Sequence, residues 1–315
     1  LVCRTVAVRG QAMTAHVWLT LFLAIFTGMA LARANLCFMR ASKAIADGHF
    51  EPFAALVVIM ASATLAFTLC GYVGWRDPAP WALPSAWTIA GAILFGVGAR
   101  INGACTIGTM GRFPSGDIGA LATIAGGAAA VFLTPRMAQA SERPRLSLSY
   151  EVGWTAVVIV AAAAALIVLS RSRKKLERSL EIVALGAIAA ALYGLRGETS
   201  LMDAANSLAP RGGVPATILL TLGGLLTGAV ATAIATGHFR PRLPHRERIP
   251  FEFAGGAMMT AGALSIPGAS DVVAFYGVPS GSPHAVIAWA IMLGTVVLSF
   301  RITRTQVWRA AFARQ

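Results

Sequence analysis

The residues with the clearest capacity for chemistry lie where apolar segments of the chain are interrupted. One interruption reads Gly98-Ala-Arg-Ile-Asn-Gly-Ala-Cys-Thr-Ile-Gly108 and places Cys105 among small residues, shortly after Arg100 and Asn102. Backbone that leaves a helix at membrane depth is tolerated only where it is buried in protein or lines a water-filled cavity. We therefore expect this segment to line a pore rather than to fill a core.

A second cysteine, Cys37, closes the segment Arg33-Ala-Asn-Leu-Cys37 and also follows an arginine at the end of an apolar run. A single membrane cysteine most often packs as a small apolar side chain, which is our interpretation of Cys70. Cys37 and Cys105 differ because both stand at interruptions, so we predict that their thiols face the path. No Cys-x-x-Cys pair or histidine-rich set accompanies them, and we expect neither a metal nor an organic cofactor.

Three arginines, Arg33, Arg100 and Arg196, stand at the ends of apolar runs. An unpaired guanidinium costs about 2.5–3.5 kcal/mol at the centre of a membrane helix and less near an interface. These side chains either extend to the lipid headgroups or face the path, where they and the helix N-termini would attract an anion. Glu198 and Asp271 are suited either to pairing with an arginine or to carrying a coupling proton.

The composition is that of an integral membrane protein. Of the 315 residues, 57% are hydrophobic and 12% are charged, whereas roughly 25% of the residues of a soluble domain are charged. Six apolar runs are long enough to cross the hydrocarbon core of a bilayer, and three shorter ones bring the expected number of spans to nine. The runs lie near residues 17–34, 53–74, 116–134, 153–170, 216–236 and 284–300, and near 86–100, 181–195 and 253–265.

The net charge of +13 is concentrated between the apolar runs, which indicates orientation in a membrane rather than nucleic-acid binding. Lys and Arg are enriched in cytoplasmic loops, so we expect the basic clusters and the C-terminus in the cytoplasm and the N-terminus outside. The clusters are Arg171, Arg173, Lys174, Lys175 and Arg178; Arg240, Arg242, Arg246 and Arg248; and the tail 301–315 with Arg301, Arg304, Arg309 and Arg314.

The chain also matches itself at nearly one offset. Gly91 and Gly98 fall on Gly255 and Gly262, and the turn Pro114-Ser-Gly116 falls on Pro279-Ser-Gly281. Weak matches in the same order indicate an internal repeat, which in transporters places the substrate site where broken helices of both halves meet. We predict a first repeat at 17–134 with four spans and two re-entrant segments, a linking span at 153–170, and a second, inverted repeat at 181–300.

This register makes four positions equivalent, namely Cys37, Cys105, Ser200, and either Ala269 or Ser270. Alignment on the glycines pairs Cys105 with Ala269, whereas alignment on the Pro-Ser-Gly turns pairs it with Ser270. Both alternatives stay open. The first half therefore offers thiols to the path, and the second half offers mainly hydroxyls.

The segments Gly28-x-x-Leu-Ala-Arg-Ala-Asn-Leu-Cys-Phe38 and Gly91–Gly108 resemble the two cysteine signatures of the YeeE/YedE family of sulfur transporters. The resemblance extends over about residues 17–300. It implies nine spans with short re-entrant helices in an hourglass shape, and uptake of thiosulfate along cysteines that contact the ion in succession. By motif these are Cys37 and Cys105, whereas the family's third cysteine is Ala269 or Ser270 here. A small TusA-like sulfur carrier is an implied cytoplasmic partner.

We thus predict an all-α inner-membrane permease for thiosulfate or a related inorganic sulfur compound. Thiosulfate combines hard oxygens, suited to hydroxyl, arginine and backbone N–H donors, with a soft terminal sulfur, suited to thiols. The alternative is a membrane thiol oxidoreductase or sulfurtransferase in which Cys37 and Cys105 exchange a disulfide or persulfide. That reaction requires their Cα atoms to lie about 4.4–6.8 Å apart.

Overall fold

The apolar runs of the sequence form α-helices. A computed structural model of the protein describes residues 2–34, 37–72, 81–133, 145–146, 158–159, 163, 173–196, 216–266 and 268–303. Within these ranges we number eleven helices and two short strands in chain order. The helices are α1 (Val2–Ala34), α2 (Phe38–Ala46), α3 (Glu51–Tyr72), α4 (Ala86–Asn102), α5 (Thr106–Arg112), α6 (Ala120–Leu133), α7 (Arg173–Arg196), α8 (Ala216–Ala235), α9 (Ile249–Ser265), α10 (Ser270–Val272) and α11 (Pro283–Thr303), and the strands are β1 (Trp81–Ala82) and β2 (Arg145–Leu146).

Several helices are long and apolar enough to cross a membrane. The described part of the chain contains five such spans, or six if α9 and the segment Ser270–Gly277, which bends away from it by 49°, form one broken span. The five are Val17–Ala46, Glu51–Tyr72, Ala86–Arg112, Ala216–Ala235 and Pro283–Thr303. The expected helical, multi-pass membrane fold is confirmed. Nine spans stay a prediction, because the linking span at 153–170 falls almost wholly outside the described residues.

Helices α4 and α9 approach each other along glycines. A Cβ atom at Gly98 would lie 2.9 Å from the carbonyl oxygen of Gly255, and one at Gly255 would lie 2.8 Å from the carbonyl oxygen of Gly98. Gly91 and Gly262 face each other in the same reciprocal way, at 2.8 and 2.6 Å. Small residues allow membrane helices to pack with their backbones in contact, so these four glycines set the distance between α4 and α9.

Reciprocal contacts also relate whole helices. Helix α1 packs on α8, and α3 packs on α7. In the register of the sequence match, α1 corresponds to α7 and α3 to α8. Helix α1 therefore contacts the counterpart of α3, and α3 contacts the counterpart of α1. This reciprocal pattern is the one that a twofold relation produces. The two inverted repeats, with the boundaries 17–134 and 181–300, stay a prediction that this packing favours.

Loops at the two ends of α6 pair with distant parts of the chain. Before α6, the backbone N–H groups of Arg240 and Arg242 donate to the carbonyls of Ser115 and Gly116, at 2.9 and 2.8 Å. After α6, β2 pairs with β1 in an antiparallel strand pair. Along the chain, one pairing precedes α6 and the other follows it.

The glycine contact predicts a difference between two Gly→Ala substitutions within helices. A Cβ at position 262 would lie 2.6 Å from the Gly91 carbonyl oxygen and 2.7 Å from the Phe95 nitrogen. Because these are backbone atoms, Gly262→Ala must separate the helices, and overpacking of this kind costs about 1–3 kcal/mol. We expect a lower melting temperature for the detergent-solubilised variant.

The matched control is Gly294→Ala in α11, where a Cβ meets nothing within 4 Å. Alanine is the better helix former by about 1 kcal/mol, so this variant should melt at the same temperature as the parent or slightly higher. Equal melting temperatures for the two variants would show that the α4–α9 contact does not depend on glycine.

Candidate functional site

Three of the four predicted interruptions lie in the described part of the chain, and each starts a short helix. Cys37 precedes α2 with φ −141° and ψ 123°, Cys105 precedes α5 with φ −86° and ψ −176°, and Ala269 precedes α10 with φ −78° and ψ 178°. All three residues thus have the extended backbone of a helix N-cap. Ser200 lies outside the described residues, as does the side chain of Arg196.

Asn102 holds the break between α4 and α5. Its amide Nδ2 donates to the Ala104 carbonyl at 2.8 Å and to Thr109 Oγ1 at 3.4 Å, and its Oδ1 accepts from the Thr123 hydroxyl at 2.7 Å. The helix ends at Gly103, whose φ of +76° is the left-handed conformation that glycine adopts readily. Asn102 is fully buried, so it acts on the path by satisfying the backbone of the break.

The thiols of Cys37 and Cys105 lie together. Their side chains are neighbours, and both are free cysteines. Gly108, one turn into α5, leaves the room for them, since a Cβ there would lie 3.0 Å from Cys37 Sγ and 3.9 Å from Cys105 Sγ. Cys105 has no exposed surface, whereas Cys37 is half-buried and borders a cavity.

Hydroxyl groups from the two halves meet beside Cys105. The Ser270 hydroxyl donates to Thr106 Oγ1 at 3.3 Å. Thr106 follows Cys105 directly, just as Ser270 follows Ala269, so the contact joins the first residues of α5 and α10. Thr106 was not among the residues singled out from the sequence, although its position one residue after Cys105, matching Ser270 after Ala269, is a signal that points to it.

Asp271 lies one residue further along α10 and is also buried. The Tyr193 hydroxyl of α7 donates to its Oδ2 at 3.3 Å. The structure therefore gives this carboxylate a phenol as a hydrogen-bond donor. Both roles expected from the sequence, pairing with an arginine and carrying a coupling proton, stay predictions.

A cavity of about 1130 Å³ lies against Cys37. Its wall is built by α1, α2, α4, α5, α7, α8 and α11, together with the loops that pair before α6. Among the described residues, seven basic side chains line it against two acidic ones. The basic residues are Arg33, Arg40, Lys43, Arg100, Arg112, Arg240 and Arg242, and the acidic ones are Asp117 and Glu181. The cavity is therefore electropositive and suited to a small anion.

Two of the arginines expected at the path, Arg33 and Arg100, line this cavity together with Cys37. Arg100 lies over the ring of Phe300, with Cζ 4.5 Å from the ring centroid. Such a cation–π contact stabilises a guanidinium that is partly removed from water. Arg240 and Arg242 were interpreted from the sequence as markers of orientation alone, since their position in a short loop carries no sign that they border a cavity.

The sequence also matches a family model described as "Sulphur transport", over residues 33–147 and again over residues 138–298. The chain belongs to the sulphur-transport family. The expected relation to YeeE/YedE is thereby confirmed. No curated protein matches the sequence. In this sulphur-transport protein, the first match contains Cys37 and Cys105, and the second contains Ala269 and Ser270.

The burial of the two thiols predicts their relative reactivity. We expect the anionic reagent 2-sulfonatoethyl methanethiosulfonate to modify Cys37 at least about ten-fold faster than Cys105, because thiol reactivity depends on access as well as on thiolate content. The measurement compares Cys105→Ser with Cys37→Ser, each in a protein that also carries Cys3→Ala and Cys70→Ala. Mass spectrometry follows the added group over time.

Thiosulfate should slow the modification of Cys37, because the anion and the reagent occupy the same cavity. Sodium chloride at the same ionic strength is the control for charge screening. Equal rates at the two cysteines would contradict the order in which the cavity, Cys37 and Cys105 are arranged.

Proposed function

We propose that this membrane protein takes up thiosulfate, or a closely related inorganic sulfur anion, through a central path of cysteine, serine and arginine side chains. The observation that carries the proposal is a pair of neighbouring thiols, of which Cys37 borders an electropositive cavity and Cys105 lies buried behind it. Cations attract the charge of the ion, and thiols contact its soft sulfur. Membership of the sulphur-transport family supports the substrate class.

For uptake, the proposed path runs from the outside to the hydroxyls of Ser270 and Thr106, then to Cys105, then to Cys37, and ends in the cavity. Each step offers an S–H or O–H donor. Ala269 is the N-cap residue of α10, just as Cys105 is the N-cap residue of α5. The second half therefore has no thiol at this position. Passage by successive hydrogen bonds needs only donors, whereas a covalent relay needs a sulfur at every step. We therefore propose that the ion moves without forming a bond to the protein.

The second candidate function is a membrane thiol oxidoreductase or sulfurtransferase. The contact between Cys37 and Cys105 favours it, because adjacent thiols are the requirement for disulfide or persulfide exchange. The cavity favours transport instead, since its cationic wall extends well beyond the two thiols. We also assign to the transport path Arg33 and Arg100 in the first half and Arg196 and Ser200 in the second. Asn102 supports the path by stabilising the break between α4 and α5.

We place the protein in the bacterial inner membrane with its C-terminus in the cytoplasm. The cavity wall carries Arg40, Lys43, Arg240 and Arg242, and basic residues concentrate on the cytoplasmic side. The cavity therefore faces the cytoplasm in this proposal. Its basic rim would suit an acidic surface on a small TusA-like sulfur carrier, the partner implied by the resemblance of the sequence.

The orientation predicts where inserted tags are found. A tag at the C-terminus and one after Arg173 should be cytoplasmic, whereas a tag at Ser141 should be outside. Protease protection of inverted and right-side-out vesicles measures this directly. Finding the tags at Ser141 and Arg173 on the same side would remove the linking span and, with it, the inverted second repeat.

The non-covalent path predicts graded effects of substitutions at Cys105. Serine keeps a donor at this position, and hydrogen bonds typically contribute about 0.5–1.5 kcal/mol. Cys105→Ser should therefore lower uptake of radiolabelled thiosulfate several-fold, and Cys105→Ala should lower it further. The assay uses bacteria that lack other uptake systems for sulfate and thiosulfate, at matched amounts of protein in the membrane.

Cys70→Ser serves as the control, because Cys70 lies in the uninterrupted helix α3 and is not among the residues that line the cavity. If Cys105→Ser abolishes uptake as completely as Cys105→Ala, the thiol is required for bond formation and the second candidate function gains. If the parent protein itself supports no uptake, the transport function is wrong.

A further inference from the structure

Arg112 lies at the far end of the short helix that begins after Cys105. Helix α5 has seven residues, so at 1.5 Å per residue its two ends are about 10 Å apart. Arg112 also borders the electropositive cavity. An anion that leaves the cysteine pair along α5 therefore meets this guanidinium on the wall of the cavity.

Two carboxylates already hold the Arg112 side chain. Its Nε donates to Asp117 Oδ2 at 2.8 Å, and its Nη2 donates to Glu252 Oε1 at 2.6 Å. Asp117 is further fixed by the Gly119 N–H, which donates to Oδ1 at 3.0 Å. Two formal negative charges thus oppose one positive charge, in a cavity whose other charged walls are mainly basic.

Glu252 is the less expected of the two partners. Only 3% of it is exposed, and it lies in the first turn of α9 rather than on the cavity wall. Its Oε2 has no hydrogen-bond partner within the described residues and packs beside Gly119. A buried ion pair with an unsatisfied oxygen contributes little to stability, because desolvation offsets the attraction. Stability alone therefore does not account for this side chain.

We propose that Arg112 is an exit station for the transported anion and that Glu252 competes with the anion for its guanidinium. The inference rests on the proposed function, since it concerns the release of the same ion. A site on a conduction path must bind strongly enough to admit the ion and weakly enough to release it. Asp117 and Glu252 make release possible, because they already neutralise the charge of Arg112 and therefore weaken its attraction for an anion.

The ligand class follows from the same geometry. The guanidinium recognises oxygens of a small anion in hydrogen-bonded pairs, whereas the soft sulfur is read earlier, at the thiols. Arg112 should therefore discriminate poorly between thiosulfate and sulfate. Sulfate is for this reason a probe of the station that is independent of the cysteines.

The test compares two Glu→Gln substitutions. Glu252→Gln keeps the shape of the side chain and removes the competing charge, so sulfate binding to the purified protein, measured by isothermal titration calorimetry, should become about ten-fold tighter at this distance and in this environment. Glu181→Gln removes the same charge from the exposed cavity wall without a contact to Arg112. It should change the affinity by no more than about two-fold.

Uptake of thiosulfate gives a second readout. In Glu252→Gln, slower release should lower both the maximal rate and the half-saturation concentration, whereas a variant that is only misfolded loses rate without a lower half-saturation concentration. If Glu252→Gln does not fold, Asp117→Asn carries the same expectation of tighter sulfate binding. In the double variant Arg112→Gln/Glu252→Gln the gain in affinity should disappear.

Unchanged or weaker sulfate binding in Glu252→Gln, or in Asp117→Asn where it replaces it, would overturn the exit station. The same is true if the double variant keeps the gain. These outcomes are separate from a failure of the proposed function, because sulfate binding is measured without transport. A parent protein that binds sulfate but takes up no thiosulfate would refute the transport proposal while leaving the competition at Arg112 in place.

Discussion

The close approach of α4 and α9 is the constraint on which the rest of the molecule depends. Four glycines bring the two backbones together, and each helix then ends in a break that starts a second, short helix. Because the helices are held at the distance of backbone contact, their breaks come close enough for the Ser270 hydroxyl to reach Thr106. A wider separation would remove this contact between the two halves and would open a gap beside Cys105.

The breaks themselves are stable because their polar groups are satisfied within the protein. At membrane depth no water is available for free carbonyls, and Asn102 supplies a donor to the Ala104 carbonyl while its own oxygen accepts from Thr123. The requirement for a satisfied backbone thus explains a buried asparagine in an otherwise apolar helix. The same break turns Cys105 toward Cys37, so one solution to a folding problem also positions the thiol.

Much of this arrangement could be predicted from the sequence, and the rest depends on contacts between distant residues. The interruptions near Cys37, Cys105 and Ala269 were predictable because polar residues or glycines end the apolar run at each of them. The choice between Ala269 and Ser270 was not, since two alignments differ by one residue; the backbone of the N-cap matches Ala269 to Cys105 and Ser270 to Thr106. Arg112 was visible beside Cys105, but its partner Glu252 is 140 residues away.

On the proposed path, different groups recognise the charge of the ion and its soft sulfur. This separation explains how a missing third thiol is compatible with transport. The cations of the cavity act at a distance and raise the local concentration of any small anion. The thiols act only in contact, where a polarisable sulfur meets another. On the way into the cell, the ion meets the hydroxyls before it reaches the thiols. Because Cys105 and Cys37 then select for its sulfur, the contact before them has only to keep the oxygens hydrogen-bonded. The hydroxyls of Thr106 and Ser270 meet that requirement, and an alanine at position 269 costs the path no bond that the ion needs.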